Sequence, residues 1–529
     1  MKLVAHSHPL LPKLAWVGVV DRVQGLVTLD HGPLVEVRPT FWIEGVWNGS
    51  FQGGDFGTTE CVFGTGGIVA EDSVRFVTSA ATVDYLFYAE AGDHVTVSNS
   101  LPLLLASIGD ALDPHCREYP RICNSILRGI EEYERTIPTQ RGQVKRVMYW
   151  NLDVSSNAIS ESDKREPPPF PSFKEYRDYL RDNYALIAAN ARDSARTTPL
   201  EIWSTQSKGY DTTAVNALCS PYGIDQVVTI SQAKAPTHLA HQDAGVQHED
   251  DDGGEICALF DLPCIRLDRR SFVQEYDDEP LYYCVLHECQ DTNLKDLKKH
   301  LRTATLLLTG THGDVIWPDA QGAKKIGIDS VIRRGDPGGH GMGELRLNLG
   351  FIQLPLPFMG ARRKPEVIAI TESDEMRPWR INTSYDRPIP RRMAEEAGIP
   401  RHAFGQSKYA SVVIFPQPSV PYGKTLRSEF FAYLAAQGLL APSRTWLWPM
   451  VRWFNSILKV RKERRSHILY SIEGVIAKLR GKLRGRPTFQ FARLWSHLSG
   501  SLLCFCVNRQ ARQYAQIMEK RHLTMSTKG

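Results

Sequence analysis

What this sequence lacks narrows it first. No apolar run reaches the ~20 residues needed for a helix to span a bilayer. The opening Met1-Lys2-Leu3-Val4-Ala5-His6-Ser7-His8-Pro9 carries no hydrophobic core of a secretory signal. Ten cysteines in 529 residues fall without the spacing of a disulfide framework, which suits a reducing cytoplasm. Their only clusters are Cys284/His287/Cys289 and Cys504/Cys506. Neither has a second ligand pair at zinc-site spacing, so buried thiols are the expectation. Nor does any glycine-rich run end in the Lys-Ser/Thr of a Walker phosphate loop. Gly64-Thr65-Gly66-Gly67 stops short of it and, lying between strand-like runs, reads as a hairpin turn.

What is present reads as soluble and globular: 42% hydrophobic and 23% charged residues, in a chain long enough for roughly two to four domains. The net charge of +4 hides an asymmetry. Residues 441–529 hold 18 Lys and Arg against 3 Asp and Glu, leaving 45 against 56 in the remaining 440 residues. A mildly acidic body therefore carries a strongly basic tail. Within it Ile468, Ile472, Val475, Ile476 and Leu479 make a helical apolar face beside Lys478, Arg480, Lys482, Arg484 and Arg486. Such a helix suits packing on the acidic body, an anionic membrane surface or another acidic partner. Nucleic acid is not expected, because no base-reading module accompanies the charge.

In chain order, residues 1–165 are β-rich, with strand patterns at 16–20, 26–29, 74–78 and 94–98 and a short helix at 101–108. The run Glu166-Pro167-Pro168-Pro169-Phe170-Pro171 is a stiff linker and the clearest boundary. Ser172 and Glu175 then form a capping-box signature, and Phe173, Tyr176, Leu180, Tyr184 and Ile187 mark the core face of a helix. Beyond it strand and helix patterns alternate: 200–204, 226–231, 263–267 and 304–309 as strands, with helices between. That order predicts a parallel sheet. The three adjacent aspartates of Glu249-Asp250-Asp251-Asp252 suggest a metal, but a solvated loop or helix N-terminus is the favoured reading. Hydrophobic helix-like pieces lie around 345–351 and 367–370.

The stretch Ser207-Lys208-Gly209-Tyr210-Asp211-Thr212-Thr213 stands between the first of those strands and a helical pattern. A strand feeding such a turn sets backbone N–H groups at the positive end of a helix dipole, where phosphate binds. Ser207 and Thr212 offer hydroxyls, Gly209 permits close approach, and an acidic Asp211 makes sense there as a magnesium ligand. The heptad resembles the pyrophosphatase loop, Ser-Gly-Gly-x-Asp-Ser, of the asparagine synthetase family, with Lys208 at the first Gly and Thr212 at the final Ser. About a hundred residues on, Gly310-Thr311-His312-Gly313-Asp314 ends another strand and resembles that family's Ser-Gly-Glu-Gly-x-Asp-Glu loop. Asp314 matches the metal-binding Asp, whereas Thr311 and Val315 stand where the family has Glu. A third segment, Tyr385 to Arg392 followed by Arg401 and Phe404-Gly405-Gln406-Ser407-Lys408, resembles the basic helix and Lys-bearing loop near that domain's end. The likeness is greatest to divergent asparagine-synthase-like proteins of surface-polysaccharide and natural-product pathways.

The resemblance implies four segments. Residues 1–165 would be a degenerate N-terminal-nucleophile (Ntn) glutaminase-like α+β domain, a likeness carried by 84–88 and 97–106. The family's nucleophilic Cys is absent there, position 2 being Lys2, so no glutaminase activity is expected. Residues 166–171 are the linker, 172–440 an α/β ATP pyrophosphatase (PP-loop) domain of adenine nucleotide alpha-hydrolase type, and 441–529 a basic helical tail. The implied activity is an AMP-forming carbon–nitrogen ligase, adenylating a small-molecule or peptide carboxylate for attack by ammonia or an amine. ATP would lie on Ser207, Lys208, Gly209, Tyr210, Asp211, Thr212, Gly310 and Gly313; Mg²⁺ on Asp211 and Asp314; Lys408 and Arg401 would be catalytic. A homodimer is compatible with it, and the setting would be cytoplasmic or peripheral to a membrane. Two alternatives stand beside it: an impaired relative acting as a binding or scaffold protein, and a membrane-surface or nucleic-acid-associated protein whose function sits in the basic tail.

Overall fold

Short alternating runs of β-branched and aromatic residues, broken by Gly, Asp and Asn, build two sheets before residue 163 in the computed structural model. That structure describes residues 1–230, 232–234, 248–267, 277–284, 290–318, 342–381, 385–406, 420–451, 453 and 498–526. The first sheet has seven strands in the order Lys2–Ser7, Leu26–His31, Trp16–Asp21, His94–Ser98, Leu86–Ala91, Gln143–Val147, Thr136–Pro138. It is antiparallel except at the edge, where Lys2 pairs in parallel with Leu26. The second runs Ile159–Ser162, Asn151–Ser155, Ser73–Val77, Val62–Val69, Phe41–Trp47, Glu36–Arg38, all antiparallel.

The sheets bury a shared face of Val20, Val27, Leu29, Val95 and Val97 against Val74, Leu152 and Val154. Trp16, Trp42 and Phe76 meet in its middle, Trp16 edge-on to Trp42 at 5.5 Å and stacked on Phe76 at 6.1 Å. That packing overturns one expectation. Gly64 to Gly67 is not a hairpin turn but the interior of strand Val62–Val69. A Cβ on Gly67 would stand 2.3 Å from the Trp42 ring, and one on Gly66 2.3 Å from the Trp42 carbonyl oxygen. The glycines make room for a tryptophan on the next strand, a neighbour invisible to local pattern.

Helix Leu101–Ile108, capped by the Ser100 hydroxyl, covers the outer face of the first sheet, and helix Phe173–Ala191 packs on the second beside Phe41–Trp47. Phe173, Tyr176, Leu180, Tyr184 and Ile187 are all fully buried along that second helix, as their spacing predicts.

Every strand of the third sheet follows the proline run. It is wholly parallel, in the order Cys264–Arg266, Gln226–Thr229, Glu201–Gln206, Thr305–Thr309, Phe351–Pro355. Leu306, Leu307 and Leu308 are all buried, the continuous apolar run of a strand covered on both faces. The sequence pattern assigned 345–351 to one helical piece. Instead helix Gly343–Leu349 ends at Gly350, with φ 88°, and Phe351 begins the fifth strand. The chain moves outward on one side of Glu201–Gln206 and then crosses to the other. The loops leaving Glu201–Gln206 and Thr305–Thr309 therefore lie side by side at the carboxyl edge, where such sheets bind ligands.

A buried polar cluster joins the parallel sheet to the first two. Arg346 binds Glu44 with both terminal nitrogens, at 2.7 and 3.0 Å, and Asp84 through Nε at 2.9 Å. Next to it Glu344 accepts from the hydroxyls of Ser100, at 2.5 Å, and Tyr514, at 2.9 Å. Tyr514 belongs to helix Leu498–Ser526, which lies along Leu101–Ile108. Among the described residues no helix is long and apolar enough to cross a membrane. The basic amphipathic pattern at 468–486 lies outside the described residues. Cys284, Cys504 and Cys506 are buried thiols, and His287 and Cys289 fall outside the description.

Candidate functional site

The loop after Glu201–Gln206 is tied by its own side chains. The Ser207 N–H donates to the Thr212 hydroxyl at 3.1 Å, and the Gly209 N–H to the Ser207 hydroxyl at 3.1 Å. Thr213 returns its hydroxyl to the Gly209 carbonyl at 2.7 Å. Helix Tyr210–Cys219 then starts from a Gly209 N-cap that offers no side-chain acceptor, with Asp211 in its first turn. That leaves the positive end of a ten-residue helix without a side-chain cap.

The second loop presses directly on the first. A Cβ on Gly310 would lie 2.7 Å from Cβ of Asp211, and one on Gly313 would lie 2.2 Å from its Oδ1. Only glycine admits this approach. His312, at φ 70°, makes the turn between them and sets its ring 4.7 Å from Phe358. Thr311 accepts a 3.4 Å hydrogen bond from the Gln353 amide, while Val315 packs against the core. Asp314 is exposed at this edge.

Sequence reasoning passed over two carboxylate and cation partners of this loop. Asp251 is buried, 2% exposed, and its Oδ1 accepts the Lys208 N–H at 2.9 Å. The acidic run is thus not a solvated loop at this position. Its neighbour Asp252 accepts the Gly254 N–H and pairs with Arg266 at 2.5 Å, so the helix-start half of the expectation fits there. The second partner is Arg387, whose Nη1 meets Asp211 Oδ1 at 2.5 Å with only 4% of its side chain exposed. Burial works to lower the Arg387 pKa, but Asp211, Tyr385 and Asp314 outweigh it, and the net shift is upward. Its signal was present in the sequence, as a basic residue directly before the Pro388 that opens helix Pro388–Glu396.

That same segment clamps Tyr210. The ring is fully buried, 4.8 Å from Tyr385 and 5.7 Å from Phe404, with the Arg391 guanidinium over it at 4.9 Å. Gly405 donates its N–H to the Lys208 carbonyl at 2.8 Å. Three stretches distant in sequence, 207–213, 310–314 and 385–405, therefore converge on Asp211. No known protein-family model matches this chain, and no curated protein matches it.

Arg401 is not brought to the loop. It lies on the surface, 46% exposed, forked onto Glu395 at 2.6 and 2.8 Å. Arg-carboxylate pairing of that kind holds the end of helix Pro388–Glu396 rather than a substrate. Lys408 lies outside the described residues. Magnesium fits poorly as a protein-held ion, because the Asp211 oxygen expected to take it already receives a buried guanidinium. Among the described residues no group of three or more His, Cys, Asp and Glu is placed to hold a metal.

Proposed function

We propose that this chain is an ATP-dependent carbon–nitrogen ligase of the asparagine-synthetase type. In this reading residues 172–440 form the pyrophosphatase domain and 1–165 a degenerate glutaminase-like domain. A substrate carboxylate oxygen attacks the α-phosphorus of ATP, the bond to the β-phosphate oxygen breaks, and pyrophosphate leaves. The nitrogen lone pair of ammonia or an amine then attacks the acyl carbon, AMP departs, and an amide remains. The observation that carries the reading is the contact of two glycine-bearing loops at Asp211, on the carboxyl edge of a parallel sheet where its strand order reverses. An uncapped helix N-terminus there stabilises negative charge that moves onto the leaving phosphates.

Calorimetric titration of ATP into the full chain and into Asp211→Ala tests the site. Saturable binding that the substitution weakens about tenfold or more supports it, and pyrophosphate release with a panel of carboxylates then seeks the substrate. A folded chain that binds no nucleotide refutes it. The second reading, a nucleotide-free scaffold, is favoured by one observation: Asp211 and the Lys208 N–H both already have internal partners.

A further inference from the structure

Arg387 is in a condition that buried arginines rarely keep. Its Nη1 is spent on Asp211, yet Nη2 of the same rigid fork is buried and has no hydrogen-bond partner among the described residues. A buried guanidinium N–H left unmade is costly, and guanidinium forks match phosphate oxygens well. The orphaned donor belongs to the group bound at Asp211, in the first turn of a helix whose Gly209 cap supplies no acceptor. Two independent features thus ask for an anion at one place.

The surrounding charge says more about what kind of anion. Asp211, Asp314 and Asp251 all act on Tyr385, so three carboxylates share this corner. A polyphosphate would be repelled there unless cations neutralised it. The chain supplies them itself, Arg387 against Asp211 and Lys208 within the loop. Meanwhile Thr311 and Val315 stand where the resemblance would put carboxylates.

We propose that Arg387 occupies the place of a divalent cation at Asp211, so that the 207–212 loop binds a polyphosphate without a protein-bound metal, Nη2 donating to a phosphate oxygen. This rests on the reading of the loop as a nucleotide site. The test is calorimetry of ATP, and separately of inorganic pyrophosphate, into the full chain in EDTA and in excess Mg²⁺. The expected result is a dissociation constant in EDTA within about threefold of that in Mg²⁺. Arg387→Met should weaken binding in EDTA about tenfold or more, and Mg²⁺ should restore part of it by taking the vacated Asp211 oxygen. Wild-type binding that is about tenfold or more weaker in EDTA overturns this inference and leaves the nucleotide site standing. Absence of binding in both media overturns the nucleotide site and this inference together. Should Arg387→Met not fold, the two wild-type titrations still decide.

Discussion

Replacing Arg346 with methionine tests whether charge holds the parallel sheet to the rest of the molecule. The guanidinium is paired with both Glu44 oxygens and with Asp84, and none of the three side chains is more than 3% exposed. Removing one member of such a group leaves buried charge uncompensated, a loss of ~3–5 kcal/mol. The loss should depend on pH, with a definite sign. Burial has already pushed the Asp84 carboxyl up to about 6, with Arg346 pulling it back down. Without Arg346 it rises further. A carboxyl whose folded pKa exceeds its unfolded value stabilises the fold below the unfolded value and loses that contribution as pH rises through the folded one. At pH 5 the variant can protonate Asp84 and escape much of the penalty; at pH 8 it escapes little. Urea unfolding of both proteins followed by circular dichroism should therefore show a deficit of ~3–5 kcal/mol at pH 8 and clearly less at pH 5. Adding Glu44→Gln should recover part of the deficit. An equal deficit at both pH values would mean that Arg346 acts by filling space, and the electrostatic argument would be wrong.

Glu344, fully buried, has its carboxyl raised to about 7, first by burial, with Ser100, Tyr514 and Arg346 opposing. The same sign applies: wild type loses stability between about pH 4.5 and 7, so Glu344→Gln should gain on it by up to ~3 kcal/mol across that window. Matching pH slopes for the two proteins would refute this. Gly313→Ala should cost about tenfold or more in nucleotide affinity, since its methyl would stand 2.2 Å from Asp211 Oδ1; unchanged affinity would show that Asp211 is not needed in that position. Asp251→Asn keeps an acceptor for the Lys208 N–H while removing a negative charge, and should tighten pyrophosphate binding severalfold, whereas Asp251→Ala should weaken it by loosening the loop. Equal effects of the two substitutions would separate neither role and would count against both.

How much of this was legible depended on how local the cause was. Strand His94–Ser98 and helix Leu101–Ile108 follow from residues that touch one another in sequence, so their bounds could be read directly. The interior strand of Gly64–Gly67 could not, because its cause is the ring of Trp42 on another strand. Helix Gly343–Leu349 and strand Phe351–Pro355 share one apolar run, and only Gly350 marks the change of period. In the site, Asp211, Gly310, Gly313 and Asp314 carry a local pattern, and the structure sets their loops side by side; Asp251 and Arg387 were missed because their contacts lie 43 and 176 residues away. Arg401 failed for the opposite reason. Its charge satisfies a neighbour six residues back, a use that sequence spacing alone does not distinguish from substrate binding.

The clamp on Tyr210 bears on what kind of loop this is. A turn that merely joins a strand to a helix needs no distant support, because its hydrogen bonds close locally, as those of Ser207, Gly209 and Thr212 do here. Yet Tyr210 is gripped by Tyr385, Arg391, Phe404 and Gly405, and Asp211, the next residue, by Arg387. The 385–405 segment, with helix Pro388–Glu396 in its middle, thus fixes the position and the charge of the first helical turn at once. Holding a buried arginine against one aspartate carries a desolvation cost of several kcal/mol, only partly offset by the pair itself. A loop with no ligand would gain more from an apolar contact of the same volume. On the proposal that this loop takes an anion, the buried Arg387, its Nη2 without a partner among the described residues and the helix start without a side-chain cap act together.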